Sequence, residues 1–142
     1  TQKLIRHFDK KLTIIITGSP DEMLKSREIF QKINSDRVVS LAGKTELKTL
    51  FALYSIADVL ITNDSGPGHF ASMTRIKNIV LFGPETPKLF GPLGLNSHII
   101  ESDLGCRPCV NHFNHRMPQC KNNVCMQSIS VNTVFEKVLE VM

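Results

Sequence analysis

Short apolar runs alternate along the chain with segments whose apolar residues recur at helical spacing. Leu12-Thr13-Ile14-Ile15-Ile16-Thr17, Arg37-Val38-Val39-Ser40-Leu41, Val59-Leu60-Ile61-Thr62, Asn78-Ile79-Val80-Leu81-Phe82 and His98-Ile99-Ile100 have strand length and near-continuous apolar character, which predicts buried strands. Between them, Met23, Ile29 and Phe30 within 21–33 predict a helix with a core-facing side. Leu47, Leu50, Phe51 and Tyr54 predict another, capped by Thr45. Residues 2–9 read as the tail of an amphipathic helix with Leu4, Ile5 and Phe8 on one side. Residues 131–142 read as a closing helix that gathers Val134, Phe135, Val138, Leu139 and Met142. Apolar strands alternating with helices predict an α/β fold, a Rossmann-like parallel sheet with helices on both faces.

Ligands of such sheets sit beyond the carboxyl ends of the strands. Gly18, Gly43, Gly66 and Gly83 all follow such ends and are expected to line one edge. The richest of these turns is Asn63-Asp64-Ser65-Gly66-Pro67, with His69 one helical turn on. Pro67 suits the first helical position, because its missing N–H would have had no intrahelical partner, and the helix should run to about Thr74. Its start aims unpaired N–H groups and a positive dipole end out of the sheet, which makes an anion site suited to a diphosphate. Ser65 and Gly66 would hold that diphosphate, and His69 would add charge if protonated. Asp64 would repel it, so from the turn alone its place is in the geometry of the loop. The alternative is a well-capped strand-to-helix connection with no ligand.

Composition narrows this picture. The 142 residues, 42% apolar and 21% charged, suit one soluble domain or one lobe of a larger enzyme. No apolar run has membrane-spanning length and no signal peptide opens the chain, which favours a cytoplasmic location. A net charge of +4 suits an acidic ligand or a peripheral contact with an anionic membrane. Scattered basic residues and few aromatics argue against nucleic acid.

All four cysteines fall in an irregular segment, 102–128, as Cys106-x2-Cys109-x10-Cys120-x4-Cys125, with His112 and His115 between them. That spacing suits a structural zinc site. The alternative is thiols packed as small apolar groups.

The chain resembles glycosyltransferase family 9, the heptosyltransferases of lipopolysaccharide core assembly. The resemblance lies in Thr17-Gly18-Ser19-Pro20, Leu41-Ala42-Gly43-Lys44-Thr45, Asn63-Asp64-Ser65-Gly66-Pro67 with His69 and Ala71, Leu81-Phe82-Gly83-Pro84 with Gly91-Pro92, and Cys125-Met126 with Ile129. It implies that 1–142 is the C-terminal, donor-binding lobe of a two-lobed glycosyltransferase-B enzyme, without that lobe's first strand and without the acceptor lobe. It further implies transfer of heptose, with inversion, from ADP-heptose to the lipopolysaccharide core. Donor contacts carry over to Asp64, Ser65, Gly66, Pro67 and His69, with Gly18 and Thr45 near the nucleoside and Asp21 or Glu22 near ribose or base. The catalytic base belongs to the missing lobe, so no catalytic residue is expected here and the fragment alone should be inactive. Gly68, Arg75 and Lys77 depart from the family pattern. The alternatives are a lobe of another nucleotide-sugar enzyme, such as an epimerase, and a zinc-stapled binding module without chemistry.

Overall fold

The computed structural model describes residues 1–8, 12–110, 117 and 120–142. The chain divides into two compact units, residues 1–50 and 51–142.

The first unit contains α1 (Gln2–His7), β1 (Ile14–Ile16), a 3-10 turn (Pro20–Glu22) running into α2 (Met23–Ile33), and β2 (Val38–Ser40). Strands β1 and β2 pair in parallel, with Ile15 opposite Val39. Leu4, Ile5 and Phe8 are half-buried, as the spacing predicts, and the Arg37 guanidinium donates to the Ile5 carbonyl at 2.8 Å. Two expectations fail. Met23, Ile29 and Phe30 are exposed, and the buried residue of α2 is Ser26, whose hydroxyl meets that of Ser40 at 2.9 Å. Strands of three residues extend only about 10 Å, whereas eleven helical residues extend about 16 Å, so this sheet cannot cover the helix. For the same reason Ile15 and Val39, side by side on one face, are exposed rather than buried.

Helix α3 (Leu47–Ile56) spans the division between the units. Glu46 immediately precedes it and its carbonyl accepts the Leu50 N–H at 2.9 Å, so Glu46, not Thr45, holds the N-cap position.

The second unit contains β3 (Val59–Asn63), α4 (Gly66–Ala71), β4 (Lys77–Phe82), α5 (Pro87–Phe90), β5 (Ser97–Glu101), α6 (Val124–Gln127) and α7 (Val131–Val141). Its strands are parallel in the order β3-β4-β5. The expectation of a single sheet is therefore corrected to a two-stranded and a three-stranded one, both parallel. Helix α4 packs on β3 and β4, and α7 packs on β4. The middle strand supplies the core, with Ile79, Val80 and Phe82 buried alongside Ala71, Ile76, Ile100 and Val138. Helices α5 and α6 stand where only irregular chain was expected. Each has four residues, too few for an apolar period to show.

Asn78 at the start of β4 is fully buried and its amide donates to the Gly68 carbonyl at 2.8 Å and to the Ser97 hydroxyl at 3.2 Å. Gly68 lies so close to the sheet that a Cβ there would touch Thr62 and Val80 methyl groups at 3.4 Å. The Asn78 amide thus ties α4 to the middle strand and to the start of β5. Asn78→Leu keeps the volume but leaves the Gly68 carbonyl without this donor, and should destabilise the protein by about 1–3 kcal/mol. Urea unfolding is the measurement, with an unchanged m-value expected.

Candidate functional site

The turn after β3 is held by the backbone first. The Asp64 N–H donates to the Leu81 carbonyl at 3.1 Å, which carries the β3–β4 ladder one residue past the strand. Ser65 follows in extended conformation (φ −164°, ψ 172°) and is the N-cap of α4. Gly66, not Pro67, is the first helical residue, with Pro67 second, and the helix ends at Ala71, earlier than expected. The Ser65 hydroxyl does not cap the helix; it donates back to the Asn63 carbonyl at 3.1 Å and lies 3.5 Å from the Thr62 hydroxyl. The Gly68 N–H turns to the Ser65 carbonyl at 3.1 Å. Ser65, Gly66 and His69 are exposed, while Asp64 and Pro67 are half-buried. The structure thus brings Asp64, Ser65, Gly66, Pro67 and His69 together around one helix start without a side-chain cap. Gly66 has no positive φ, and a Cβ there would meet only the Phe70 ring at 3.5 Å, so the glycine is not required by the backbone.

The first unit has its own strand-to-helix turn after β1, and it is closed by its own side chains. Glu22 accepts from the Ser19 N–H at 2.9 Å and from the Ser19 hydroxyl at 3.1 Å, completing a capping box. Gly18 accepts the Gly43 N–H at 2.8 Å, and a Cβ on Gly18 would lie 3.1 Å from the Glu22 carboxylate. Gly43 does need its glycine, since φ is +71° and a Cβ would lie 2.5 Å from the Met23 sulfur. Asp21 is exposed and Thr45 half-buried. Glu22 is committed to the cap, which leaves Asp21 as the acid of this pair with its carboxylate outside the box.

The cysteine segment is fastened beneath the turn after β4. Cys109 and Val110 N–H groups donate to the Pro84 carbonyl at 3.0 and 3.2 Å. Cys125 is buried, and a Cβ on Gly83 would lie 2.8 Å from Met126 and 3.6 Å from the Cys125 sulfur. Burial pushes the Cys109 thiol up, and so do the charges of Cys106, Cys125 and Cys120. Backbone N–H groups of Val124, Asn122 and Asn123 push the Cys120 thiol down. Charges are felt over roughly 10 Å, whereas zinc needs sulfur at about 2.3 Å. Among the described residues there is no group of three or more His, Cys, Asp or Glu side chains that could hold a metal ion. His112 and His115 lie outside the described residues.

The chain matches Glycosyltransferase family 9 (heptosyltransferase) over residues 2–118. It belongs to that family. The lipooligosaccharide heptosyltransferase 2 of Campylobacter jejuni is 31% identical over 140 residues, which is 96% of this chain and 43% of the relative. The Escherichia coli ADP-heptose lps heptosyltransferase II superposes with a TM-score of 0.77 at 22% identity, over 99% of this chain and 39% of the other. The Escherichia coli heptosyltransferase WaaC, solved with ADP, superposes at 0.74 and 19% identity, over 99% of this chain and 38% of its own. This family 9 chain therefore spans about two fifths of the length of the relatives it matches. Among the described residues no helix is long and apolar enough to cross a membrane.

Sequence reasoning missed Arg107. Its side chain, only 6% exposed, donates to the carbonyls of Gly83, Ser102 (2.6 Å) and Glu85 (3.2 Å), and pairs with Glu101 at 3.0 Å. One guanidinium thus joins the turn after β4 to the segment after β5. An arginine between two cysteines in an irregular stretch carries no periodic signal that would show this. Arg107→Ala leaves three carbonyls without this donor and should cost about 2–3 kcal/mol, while Arg107→Lys, a point charge that cannot fork, should recover only part of it. Chemical denaturation of both variants is the measurement.

Proposed function

We propose that this chain is the C-terminal, donor-binding lobe of a heptosyltransferase that takes heptose from ADP-heptose and adds it to the lipopolysaccharide core. One observation carries the reading. Of the two strand-to-helix turns described above, the first is filled by its own Ser19–Glu22 capping box, and the second, at Ser65–Gly66, has no side-chain cap. The uncapped helix start is the place for a ligand anion, and the diphosphate of an ADP-sugar has the matching charge. Family membership, and the ADP in the WaaC structure, support the nucleotide.

In this reading the bond from the sugar's anomeric carbon to the β-phosphate oxygen breaks while the acceptor oxygen attacks that carbon from the opposite face. The leaving diphosphate gains charge, and fixed N–H donors stabilise it as it forms, joined by the Ser65 hydroxyl once it turns from the Asn63 carbonyl to the ligand. His69 lies one turn along the same exposed face and adds charge when protonated. Asp64 faces sugar hydroxyls or fixes the turn. Gly18, Asp21 and Thr45 are the residues that the family pattern assigns to the nucleoside side, and Glu22 supports that turn through its cap. The base that takes the acceptor's proton comes from the acceptor lobe.

Calorimetric titration of ADP into the two-lobed enzyme tests the donor turn. Ser65→Ala removes a hydrogen bond to a charged group and should weaken ADP by about 1.5–3 kcal/mol, roughly 10- to 150-fold. Since Ser65 does not cap α4, its melting temperature should stay close to the parent's. Gly66→Ala should fold normally, whereas Gly66→Val should crowd the ligand and lose more affinity than Ser65→Ala. Unchanged ADP affinity in Ser65→Ala and Gly66→Val, with the fold intact, would reduce this turn to a plain connection. Metal analysis of protein prepared under reducing conditions settles the cysteines separately. If zinc staples 106–125, about one equivalent should be found and a chelator should loosen the loop, whereas none would leave the thiols packed as small apolar groups.

A further inference from the structure

Gly66 opens α4, and beside it lies the ring of Phe70. Helical side chains lean back toward the N-terminus, so a residue four positions on covers the turn before its own. A Cβ placed on Gly66 would meet Cε2 of Phe70 at 3.5 Å and Cζ at 3.8 Å. Apart from its chain neighbours and the helix backbone, it would meet no other atom of the described residues within 4 Å. The space next to Gly66 is therefore bounded by one aromatic ring. That ring is braced from α3, where the Phe51 ring has its centroid 5.9 Å away and its plane tilted by 53°. Both rings are half-buried, whereas the adjoining Ala71 is fully enclosed, so the pair keeps part of its surface accessible.

The chemistry of the turn gives such a ring a use. The turn and α4, residues 63–71, carry the Asp64 carboxylate and no Lys or Arg. Within this stretch an anion depends on N–H groups, on the Ser65 hydroxyl and on His69 when protonated. Dipoles of this kind hold charge far better out of water than in it. An apolar ring excludes water from one side without consuming a hydrogen-bond donor. Orientation matters as well. Only Cε2 and Cζ come close, so the ring turns its edge toward Gly66, and the edge is the positive end of the aromatic quadrupole. A ring face would repel an anion there, whereas an edge suits it.

We propose that Phe70, braced by Phe51, forms the apolar wall of the diphosphate subsite in the donor turn. This rests on the donor-binding reading and adds to it the side chain that keeps water from the charge of the leaving group. Phe70 touches the ligand, and Phe51 is a positioning residue that acts through it. The alternative, that the two rings only pack on one another, predicts a change in stability and none in nucleotide binding.

Calorimetric titration of ADP into the two-lobed enzyme at several temperatures separates the two. Phe70→Leu keeps an apolar side chain but loses the ring edge. It should weaken ADP about fivefold or more and make the heat-capacity change of binding less negative. Phe51→Leu should weaken ADP about twofold. A purely structural role would lower the melting temperature and leave the heat-capacity change of binding as it was. A second measurement truncates nothing. With 4-fluorophenylalanine at position 70 the fluorine sits on Cζ, and its resonance should shift when ADP is added but not when sodium chloride of equal ionic strength is. The wall is overturned if folded Phe70→Leu binds ADP as the parent does, or if the fluorine resonance ignores ADP. Should Ser65→Ala and Gly66→Val still lose affinity in that case, the donor turn stands without this wall. Should they bind normally too, the donor reading falls with it.

Discussion

The buried amide of Asn78 fixes where α4 starts relative to the central strand, and the proposed donor chemistry depends on that placement. A side chain with no exposed surface would be costly there unless bonded. Its Nδ2 donates to a backbone carbonyl of α4 and to the hydroxyl of the residue that opens β5, while its Oδ1 has no hydrogen-bond partner among the described residues. The same strand that forms the core of the second unit therefore also sets the position of the helix. Gly68 sits close on the sheet, where a Cβ would be in van der Waals contact with Thr62 and Val80 and a larger side chain would have little room. The departure from the family pattern at Gly68 and the polar residue at Asn78 are two halves of one contact.

With α4 held in that way, its N-terminus needs no local cap to stay in place. Helices begin with N–H groups that lack intrahelical partners, and Ser, Asp or a capping box normally answers some of them. Ser19 and Glu22 do so in the first unit. Ser65 could have done so in the second, yet its hydroxyl is turned to the Asn63 carbonyl. Tertiary anchoring through Asn78 replaces the stabilisation a cap would give, and leaves the helix start open to an anion. Arg107 plays the matching part on the neighbouring turn, where it gathers the Gly83, Ser102 and Glu85 carbonyls into one forked contact.

Much of this was legible in the sequence, and the reasons for the failures are specific. Every predicted strand exists, and the parallel pairing follows from their apolar character. The strand–turn–helix at 59–71 could be read because turn residues act locally: Asp, Ser, Gly and Pro favour that geometry wherever they stand. Exposure could not be read, because it depends on what lies beside a residue. Ile15, Val39, Ile29 and Phe30 are as apolar as Ile79 and Val80, and only the latter pair is buried. Asn78 and Arg107 were invisible for a related reason. Asn78 reaches Gly68 and Ser97, 10 and 19 residues away, and Arg107 reaches Gly83 and Glu85, 24 and 22 away; most of these bonds go to backbone carbonyls, which leave no trace in residue type.

The contrast between the two units follows from strand count. A two-stranded parallel sheet has no middle strand, so each strand has one bare edge and its short faces cover little of a helix. In the three-stranded sheet β4 is flanked on both edges and packed by α4 and α7, and it alone contributes Asn78, Ile79, Val80 and Phe82 to the buried set. The exclusion of water in that setting strengthens the two bonds that the Asn78 amide nitrogen donates, although its buried Oδ1 has no hydrogen-bond partner among the described residues. The turn proposed to bind the donor thus stands on the three-stranded sheet that holds most of the buried core. Rigid support of that kind is what a phosphate site requires, because N–H groups stabilise a forming charge only if they are already aimed when it appears.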